Sequence, residues 1–218
     1  MRERFDLRRA LPRLPGLLVG LVLFGAGIGM MVESGLGLGP WEALHQGLAD
    51  QLGIQIGTVS ILLGIPILAL WWPLGERPGL GTLLNVVLIG ASTNWAIAVI
   101  PTADTVPTQL LLMVGGVLVI GLGSAIYLSA DLGPGPRDGL MTGLHHRFGW
   151  SIRRARTAIE LIVLVIGWAL GGTIGLGTVV FALGIGPVIQ VFLRFVDRDD
   201  RVGRRRRARL EAEGVLGE

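Results

Sequence analysis

Long apolar runs alternate with short polar segments along this chain. Six runs are almost free of charged residues and approach or reach the roughly 20 apolar residues that cross the hydrocarbon core of a bilayer. They cover residues 16–32, 54–72, 82–100, 108–128, 157–170 and 176–196. The pattern predicts an all-α, polytopic membrane protein with six transmembrane helices.

The second half of the sequence repeats the first at an offset of 96 residues, without a gap. The best match is a Gly-x-Gly-Pro motif followed by an acidic residue. Its positions pair as Gly37, Gly39, Pro40 and Glu42 with Gly133, Gly135, Pro136 and Asp138. Residues 16–100 and 108–196 then form two three-helix repeats. Because three is an odd number, the second repeat is predicted to be inverted, as in many secondary transporters.

Each motif is predicted to begin a short amphipathic helix. A proline suits the first helical position, and an acid in the first turn complements the helix dipole. Such a helix can lie flat at the membrane interface, anchored by Trp41 and Trp150, or be re-entrant. We expect the flat or shallow position, because Glu42, Asp50 and the basic run 145–147 are costly to bury in a membrane.

Arginine positions predict the orientation. All 19 basic residues are arginines: five precede the first span, one lies between spans two and three, five between spans four and five, and eight at or beyond the end of span six. The positive-inside rule places both termini in the cytoplasm. The basic N-terminus, residues 1–15, and the tail, residues 197–218, are then cytoplasmic, with the tail on anionic lipid headgroups.

Composition excludes several classes of site. The chain has no cysteine, which rules out disulfides and thiolate metal sites. Its three histidines lack clustered carboxylates, so we expect no metal. The sequence contains no nucleophile–base set or phosphate-binding loop, which predicts no cofactor and no enzymatic activity. The membrane spans also defeat the nucleic-acid interpretation that a pI of about 10.8 would otherwise invite.

Few polar residues lie within the spans, and these are the candidates for a solute or proton site. Glu160 follows Arg156 by four residues, so a functional acid and a snorkelling ion pair both stay open. The other candidates are the amide and hydroxyl residues Asn85, Ser92, Asn94 and Gln190. Hydrogen bonding between helices is the alternative explanation for them.

With its repeated motif and topology, the chain resembles the YczE/YyaS/YitT group of bacterial integral membrane proteins, and the YczE branch most closely. The segments GLGPWEAL (37–44) and GPGPRDGL (133–140) carry the resemblance, together with Gly53 and the glycines of span two. It extends over nearly the whole chain outside the charged tails. The resemblance implies a six-span membrane protein whose activity is not established, and it implies no catalytic or binding residues.

The leading hypothesis from the sequence is a permease for an unidentified small solute, with its site between the inverted halves. The alternative is a non-transporting membrane accessory or scaffold that supports a partner enzyme or export system. Polar residues that line one cavity would favour the permease, and a dry, glycine-packed bundle would favour the accessory. Because both motifs carry an acid, we expect a solute that is neutral or cationic.

Overall fold

The computed structural model describes residues 10–197, which form eight α-helices and no strand. A single 3-10 turn, Leu11–Arg13, precedes the first helix. The helices are α1 (Leu14–Ser34), α2 (Pro40–Leu52), α3 (Ile56–Leu74), α4 (Leu80–Val99), α5 (Val106–Ala130), α6 (Pro136–Phe148), α7 (Ile152–Ala169) and α8 (Leu176–Val196). Most of the basic N-terminus and nearly all of the basic tail lie outside the described residues, as does the predicted contact of the tail with lipid.

Five of these helices are long and apolar enough to cross a membrane: α1 with its preceding turn, α3, α4, α5 and α8. The fold is therefore that of an all-helical, polytopic membrane protein. Helix α7 coincides with the fifth predicted span, 157–170, but is less apolar, because its first half carries Arg153, Arg154, Arg156 and Glu160. Helices α2 and α6 have 13 residues each, about 20 Å of helix, which is too short to span.

The helix boundaries recur at the repeat offset because the same local signals recur. Pro40 and Pro136 each occupy the first turn of a short helix, after an extended glycine. Each short helix ends at a left-handed glycine, Gly53 with φ 65° and Gly149 with φ 70°, a conformation that costs a residue without a side chain little.

Helices α1 and α5 cross in close contact through glycine. A β-carbon at Gly20 would lie 2.8 Å from the Gly123 carbonyl oxygen, and one at Gly27 would lie 2.8 Å from that of Gly116. Contacts that advance along one helix and retreat along the other mean that the two helices are antiparallel. Small residues at such a crossing let the backbones approach and pack closely.

The motif loops join each half to the other. The Leu36 carbonyl accepts a hydrogen bond from the Gly177 amide (2.7 Å), and the Leu132 carbonyl accepts one from the Gly81 amide (2.9 Å). Leu132 is the repeat equivalent of Leu36, and Gly177 that of Gly81. Each loop that precedes a short helix is thus tied to the last long helix of the opposite half.

The expected flat position at the interface, with Trp41 as an anchor, does not fit α2. Most of the N-terminal part of α2 is buried inside the protein, with Trp41 only 7% exposed, so Trp41 is no interfacial anchor. Helix α2 packs against α7, and α6 packs against α3. Burial is possible because Asp50 and Arg147 lie at the exposed C-terminal ends of α2 and α6, while Glu42 has a cationic partner inside the protein.

Candidate functional site

A cavity of about 460 Å³ lies between the two halves, and all eight helices contribute residues to its lining. The first turns of both short helices face it. Amides in the first turn of a helix have no intrahelical acceptor, and together they carry a partial positive charge. The burial of α2 and α6 thus brings two helix N-termini to one internal space.

An ion pair joins the two helix N-termini. Arg137 Nη2 lies 2.8 Å from Glu42 Oε1, and the Glu42 side chain is 4% exposed. The Arg137 guanidinium also lies over the Trp41 ring, 4.9 Å from its centre. Burial raises the pKa of the Glu42 carboxyl, but the charge of Arg137 and its hydrogen bond outweigh this effect, so the pKa lies below its ordinary value. Glu42 is therefore ionised.

His45 follows Glu42 on the same helix and is also buried. Burial, with a smaller contribution from the Arg137 charge, lowers the pKa of the His45 imidazole to about 3. At neutral pH the imidazole is uncharged. It is therefore a neutral polar group of the cavity wall and adds no charge to the pair formed by Glu42 and Arg137.

Two buried polar atoms in this region have no hydrogen-bond partner among the described residues, Trp41 Nε1 and Glu42 Oε2. Both residues line the cavity. Buried polar groups in folded proteins are nearly always paired, because an unpaired one forfeits its hydration. Neither atom has appreciable accessible surface, so both are enclosed by the protein around the cavity.

A second ion pair lies at a more exposed part of the cavity wall. Arg156 Nε donates to Glu160 Oε1 at 2.9 Å, and the side chains are 52% and 33% exposed. This is the pairing that the sequence left open for Glu160, and Glu160 lines the cavity as well. The geometry is compatible with both a structural and a functional role for Glu160.

The candidate residues fall into two groups. Asn85, Gln190 and Glu160 line the cavity, whereas Asn94 and Ser92 do not. Asn94 Oδ1 accepts a hydrogen bond from the Gly57 amide (2.7 Å), so Asn94 holds the start of α3 against α4. The Ser92 hydroxyl donates to carbonyls one turn back in its own helix.

The repeated motif divides in the same way. Its cavity-lining members are Pro40, Glu42, Gly135, Pro136 and Asp138. Asp138 Oδ2 accepts a hydrogen bond from the Gly135 amide, 3.3 Å away, and so caps α6. The remaining three glycines pack against the other elements: Gly37 against Gly175, Gly39 against Phe181 and Gly133 against Thr82.

Sequence reasoning missed Arg137, Trp41, His45, Tyr127 and Ser124 as cavity residues. One signal for Arg137 was present. A cation in the first turn of a helix opposes the helix dipole, so Arg137 in that position indicates a nearby anion. That anion, Glu42, lies 95 residues away in the sequence, and no local pattern connects the two.

The seam between α3 and α4 differs from its repeat equivalent between α7 and α8. In the first half, the backbones of Gly57 and Gly90 touch, leaving no room for a side chain at either position. Their equivalents in the second half are Arg153 and Gly186. Among the described residues, no atom comes within 4 Å of a β-carbon placed at Gly186, which lines the cavity.

The replacements that separate α7 from α8 share one character. Small residues of α3 correspond to charged residues of α7: Gly57 to Arg153, Ser60 to Arg156 and Gly64 to Glu160.

Within residues 10–197, no group of three or more histidine, aspartate or glutamate side chains is placed to hold a metal ion.

A family model described as "Family of unknown function (DUF6198)" matches residues 11–194. An "Uncharacterized protein" of Haemophilus influenzae is 42% identical over 182 residues, which cover 84% of each chain. The "Uncharacterized membrane protein YczE" of Bacillus subtilis is 35% identical over 177 residues, 80% of this chain and 82% of that one. The "Uncharacterized protein YyaS" of the same organism is 28% identical over 184 residues, 83% and 92% of the two chains. No solved structure matches significantly.

Proposed function

Because this chain belongs to the DUF6198 family, whose function is unknown, its activity has to be inferred from its own site, and we propose that it is a permease for a small solute. The observation that carries the proposal is the cavity of about 460 Å³ between the halves, lined by ionisable side chains from both of them. A membrane protein that serves only as a scaffold has no need to bury charges around an open space, which is costly in a bilayer. The solute is proposed to pass through this cavity, and no enzymatic step is proposed there.

The proposed architecture has six spans in two inverted repeats, with α7 as the fifth span along the chain. The antiparallel glycine contacts of α1 with α5 support it, because equivalent helices of inverted repeats must run in opposite directions. The exchanged hydrogen bonds Leu36–Gly177 and Leu132–Gly81 support it as well, since a two-fold axis converts one into the other. The charged residues in the first half of α7 are compatible with a span if they face the cavity or the headgroups.

The proposed orientation places both termini in the cytoplasm of a bacterial cell, from the one-sided arginines. The chain contains no cysteine, so single cysteines can report sidedness directly. Cysteines that replace Asp50 and Asp104 are expected to react with an impermeant thiol reagent added to intact cells. A cysteine that replaces Arg147 is expected to react only after the cells are opened. Labelling at position 147 in intact cells would contradict the orientation.

In this orientation the cavity is proposed to open to the cytoplasm between α7 and α8, beside the Arg156–Glu160 pair. The contact of Gly57 with Gly90 closes the equivalent seam on the outer side. Alternating access would follow if the α3–α4 seam opened while the α7–α8 seam closed, as inverted repeats allow. The pair Glu42–Arg137, which joins the two helix N-termini, lies at the centre of such a movement.

The transport proposal is tested in two steps with purified protein. A solute that binds the folded state raises the thermal unfolding temperature, by an amount equivalent to about 2.7 kcal/mol at 100 times its Kd. Solutes identified in such a screen are then offered to proteoliposomes, and uptake is compared between the native chain and Glu42→Gln. Saturable uptake that the substitution reduces is the expected result. A solute that binds but never crosses would favour the accessory role.

A further inference from the structure

Three polar side chains from three helices meet beside Gly135, where α6 begins. A β-carbon placed there would lie 3.2 Å from Asp138 Oδ2, 3.6 Å from Tyr127 Oη and 3.7 Å from Asn85 Nδ2. Asp138 belongs to α6, Tyr127 to α5 and Asn85 to α4, and all three line the cavity. Polar atoms that lie this close to a single point can contact the same small group of a solute.

These polar groups are accessible from the cavity. Asp138 is exposed, whereas Tyr127 and Asn85 are only 8% and 9% exposed. Within residues 10–197, the side chains of Tyr127 and Asn85 make no hydrogen bond, yet their polar atoms are not among the enclosed atoms without a partner. The Tyr127 hydroxyl and the Asn85 amide therefore face the open space of the cavity. The Asp138 carboxylate accepts one hydrogen bond, from the Gly135 amide, and has no ion-pair partner in the described part of the chain.

The equivalent position in the first half has a different environment. The residues at the repeat positions of Asn85 and Tyr127 are apolar there, Phe181 and Met31. Phe181 packs against the start of α2, and the Glu42 Oε2 atom beside it is enclosed. The first acid is thus enclosed and paired with an arginine, whereas the second is open and has two polar neighbours. Because the apolar version packs well, packing alone does not explain the polar one.

The charges of the cavity wall do not balance. Its described residues include three carboxylates and only two guanidinium groups, and each guanidinium already binds an acid, in the pairs Glu42–Arg137 and Glu160–Arg156. His45 is neutral, because its pKa is about 3. Asp138 is therefore the carboxylate without a countercharge. One positive charge beside it would neutralise the cavity.

The protein itself stabilises the ionised form of Asp138 incompletely. Water in the cavity reaches the carboxylate, but protein atoms replace part of the bulk water around it. This burial raises the pKa of the Asp138 carboxyl, and the effect outweighs the Gly135 hydrogen bond and the charges of Arg156 and Arg137, which lower the pKa. A bound cation would supply the stabilisation that the protein lacks at this point.

We propose that Asp138, Tyr127 and Asn85 form a subsite for a protonated primary amine of the solute. An ammonium group has one positive charge and three N–H donors, which match a carboxylate, a hydroxyl oxygen and an amide oxygen. The Asn85 amide can present its oxygen, because no hydrogen bond to the described residues fixes its orientation. Hard metal cations take about six oxygen ligands or more, which three side chains do not supply. This inference rests on the proposed function and narrows the neutral-or-cationic class to the cationic one.

The test uses Tyr127, which is the only tyrosine in the chain, so ¹³C at the tyrosine Cζ gives one NMR signal from the subsite. The purified protein is titrated separately with methylammonium, tetramethylammonium, sodium and acetamide. Methylammonium is expected to shift the Tyr127 signal saturably, with an affinity about tenfold or more above that of the other probes. The reason is that it alone combines a positive charge with N–H donors.

Two variants locate the binding. Asp138→Asn removes the charge of the subsite and should weaken methylammonium binding about tenfold or more. Asp50→Asn is the matched control, because it makes the same chemical change at the exposed end of α2, outside the cavity lining. It should leave methylammonium binding unchanged. The ranking of the four probes is measured on the native chain and does not depend on the folding of either variant.

Three outcomes would overturn the inference. The first is binding of tetramethylammonium, sodium or acetamide as tight as that of methylammonium, and the second is unchanged methylammonium binding by Asp138→Asn. The third is a Tyr127 signal that no probe shifts, including one that moves only with pH because Asp138 takes up a proton. The transport proposal fails separately: methylammonium binding without solute uptake removes transport and keeps the subsite. Uptake of a solute without an amine, with the Tyr127 signal unmoved by methylammonium, keeps transport and removes the subsite.

Discussion

Two equivalent seams of this protein have opposite structures. Helices α3 and α4 touch through the backbones of Gly57 and Gly90, and Asn94 ties them by accepting a hydrogen bond from the Gly57 amide. Helices α7 and α8 occupy the same places in the second half, yet the space beside Gly186 is open. Equivalent elements can thus serve as a closed wall in one half and as the border of a cavity in the other.

The difference follows from a few substitutions in a duplicated unit. Glycine and serine on α3 let two backbones meet, which is how helices associate where lipid supplies no hydrophobic driving force. Arginine and glutamate at the equivalent positions of α7 are too long and too strongly hydrated for such a contact. The duplicated fold therefore keeps its packing in one half and gains a polar opening in the other.

The largest expected effect comes from adding one methyl group to each seam. Gly90→Ala would place its β-carbon against the Gly57 carbonyl oxygen, with Ile61 also in the way. Overpacking of this kind costs about 2–3 kcal/mol, which corresponds to a fall of about 5–10 °C in unfolding temperature. Gly186→Ala, at the equivalent position, meets open space and should raise the unfolding temperature slightly or leave it unchanged. Equal losses in the two variants would contradict the difference between the seams.

The next effect separates the two ion pairs. Glu42→Gln leaves a mostly buried Arg137 without a countercharge, and we expect a loss of about 1–2 kcal/mol in the free energy of unfolding. Glu160→Gln removes a pair whose members are 52% and 33% exposed, and should cost less than about 0.5 kcal/mol. Chemical denaturation in detergent measures both. A larger loss at Glu160 would mean that the exposed pair, rather than the buried one, stabilises the fold.

The smallest effect concerns pH and the residue that distinguishes α2 from α6. His45 corresponds to Met141 in the second half. The His45 pKa is about 3 in the folded protein against about 6.5 in an unfolded chain. The unfolded state therefore gains a proton first as the pH falls, and stability is full above pH 6.5 and declines towards pH 3. His45→Met should remove about 1 kcal/mol of the loss between pH 7.5 and pH 6. Identical pH profiles for the two proteins would refute the burial of a neutral imidazole.

Much of the fold could be predicted from the sequence, because its signals are local or periodic. The Gly-Pro starts at Pro40 and Pro136 and the glycine ends at Gly53 and Gly149 appear directly as helix boundaries. Five of the six apolar runs coincide with long apolar helices for the same reason, and the run 157–170 lies mostly within the less apolar α7. The charged residues of α7 were visible too, but their effect on the α7–α8 seam appears only when both seams can be compared.

The site could be predicted only in part, because it depends on pairs that are distant in sequence. The expected position of α2 assumed that Glu42 is too costly to bury. In the structure Arg137 pairs with Glu42, and α2 is buried there. Asn94 and Gln190 are equivalent by the repeat, yet Asn94 caps α3 while Gln190 lines the cavity. Asn94 reaches the Gly57 amide because Gly57 has no side chain in the way, whereas the equivalent residue in the second half is Arg153.

The most direct test of a cavity that opens on the arginine-rich side is the reactivity of single cysteines within it. Ser60 lines the cavity, whereas Ser92, also within a long helix, packs against Gly25 outside it. In inside-out vesicles, Ser60→Cys should react with an impermeant methanethiosulfonate reagent far faster than Ser92→Cys. In right-side-out vesicles, both cysteines should react slowly. A cysteine at position 60 that is as inert as the one at position 92 from both sides, or that reacts faster from outside, would contradict the account.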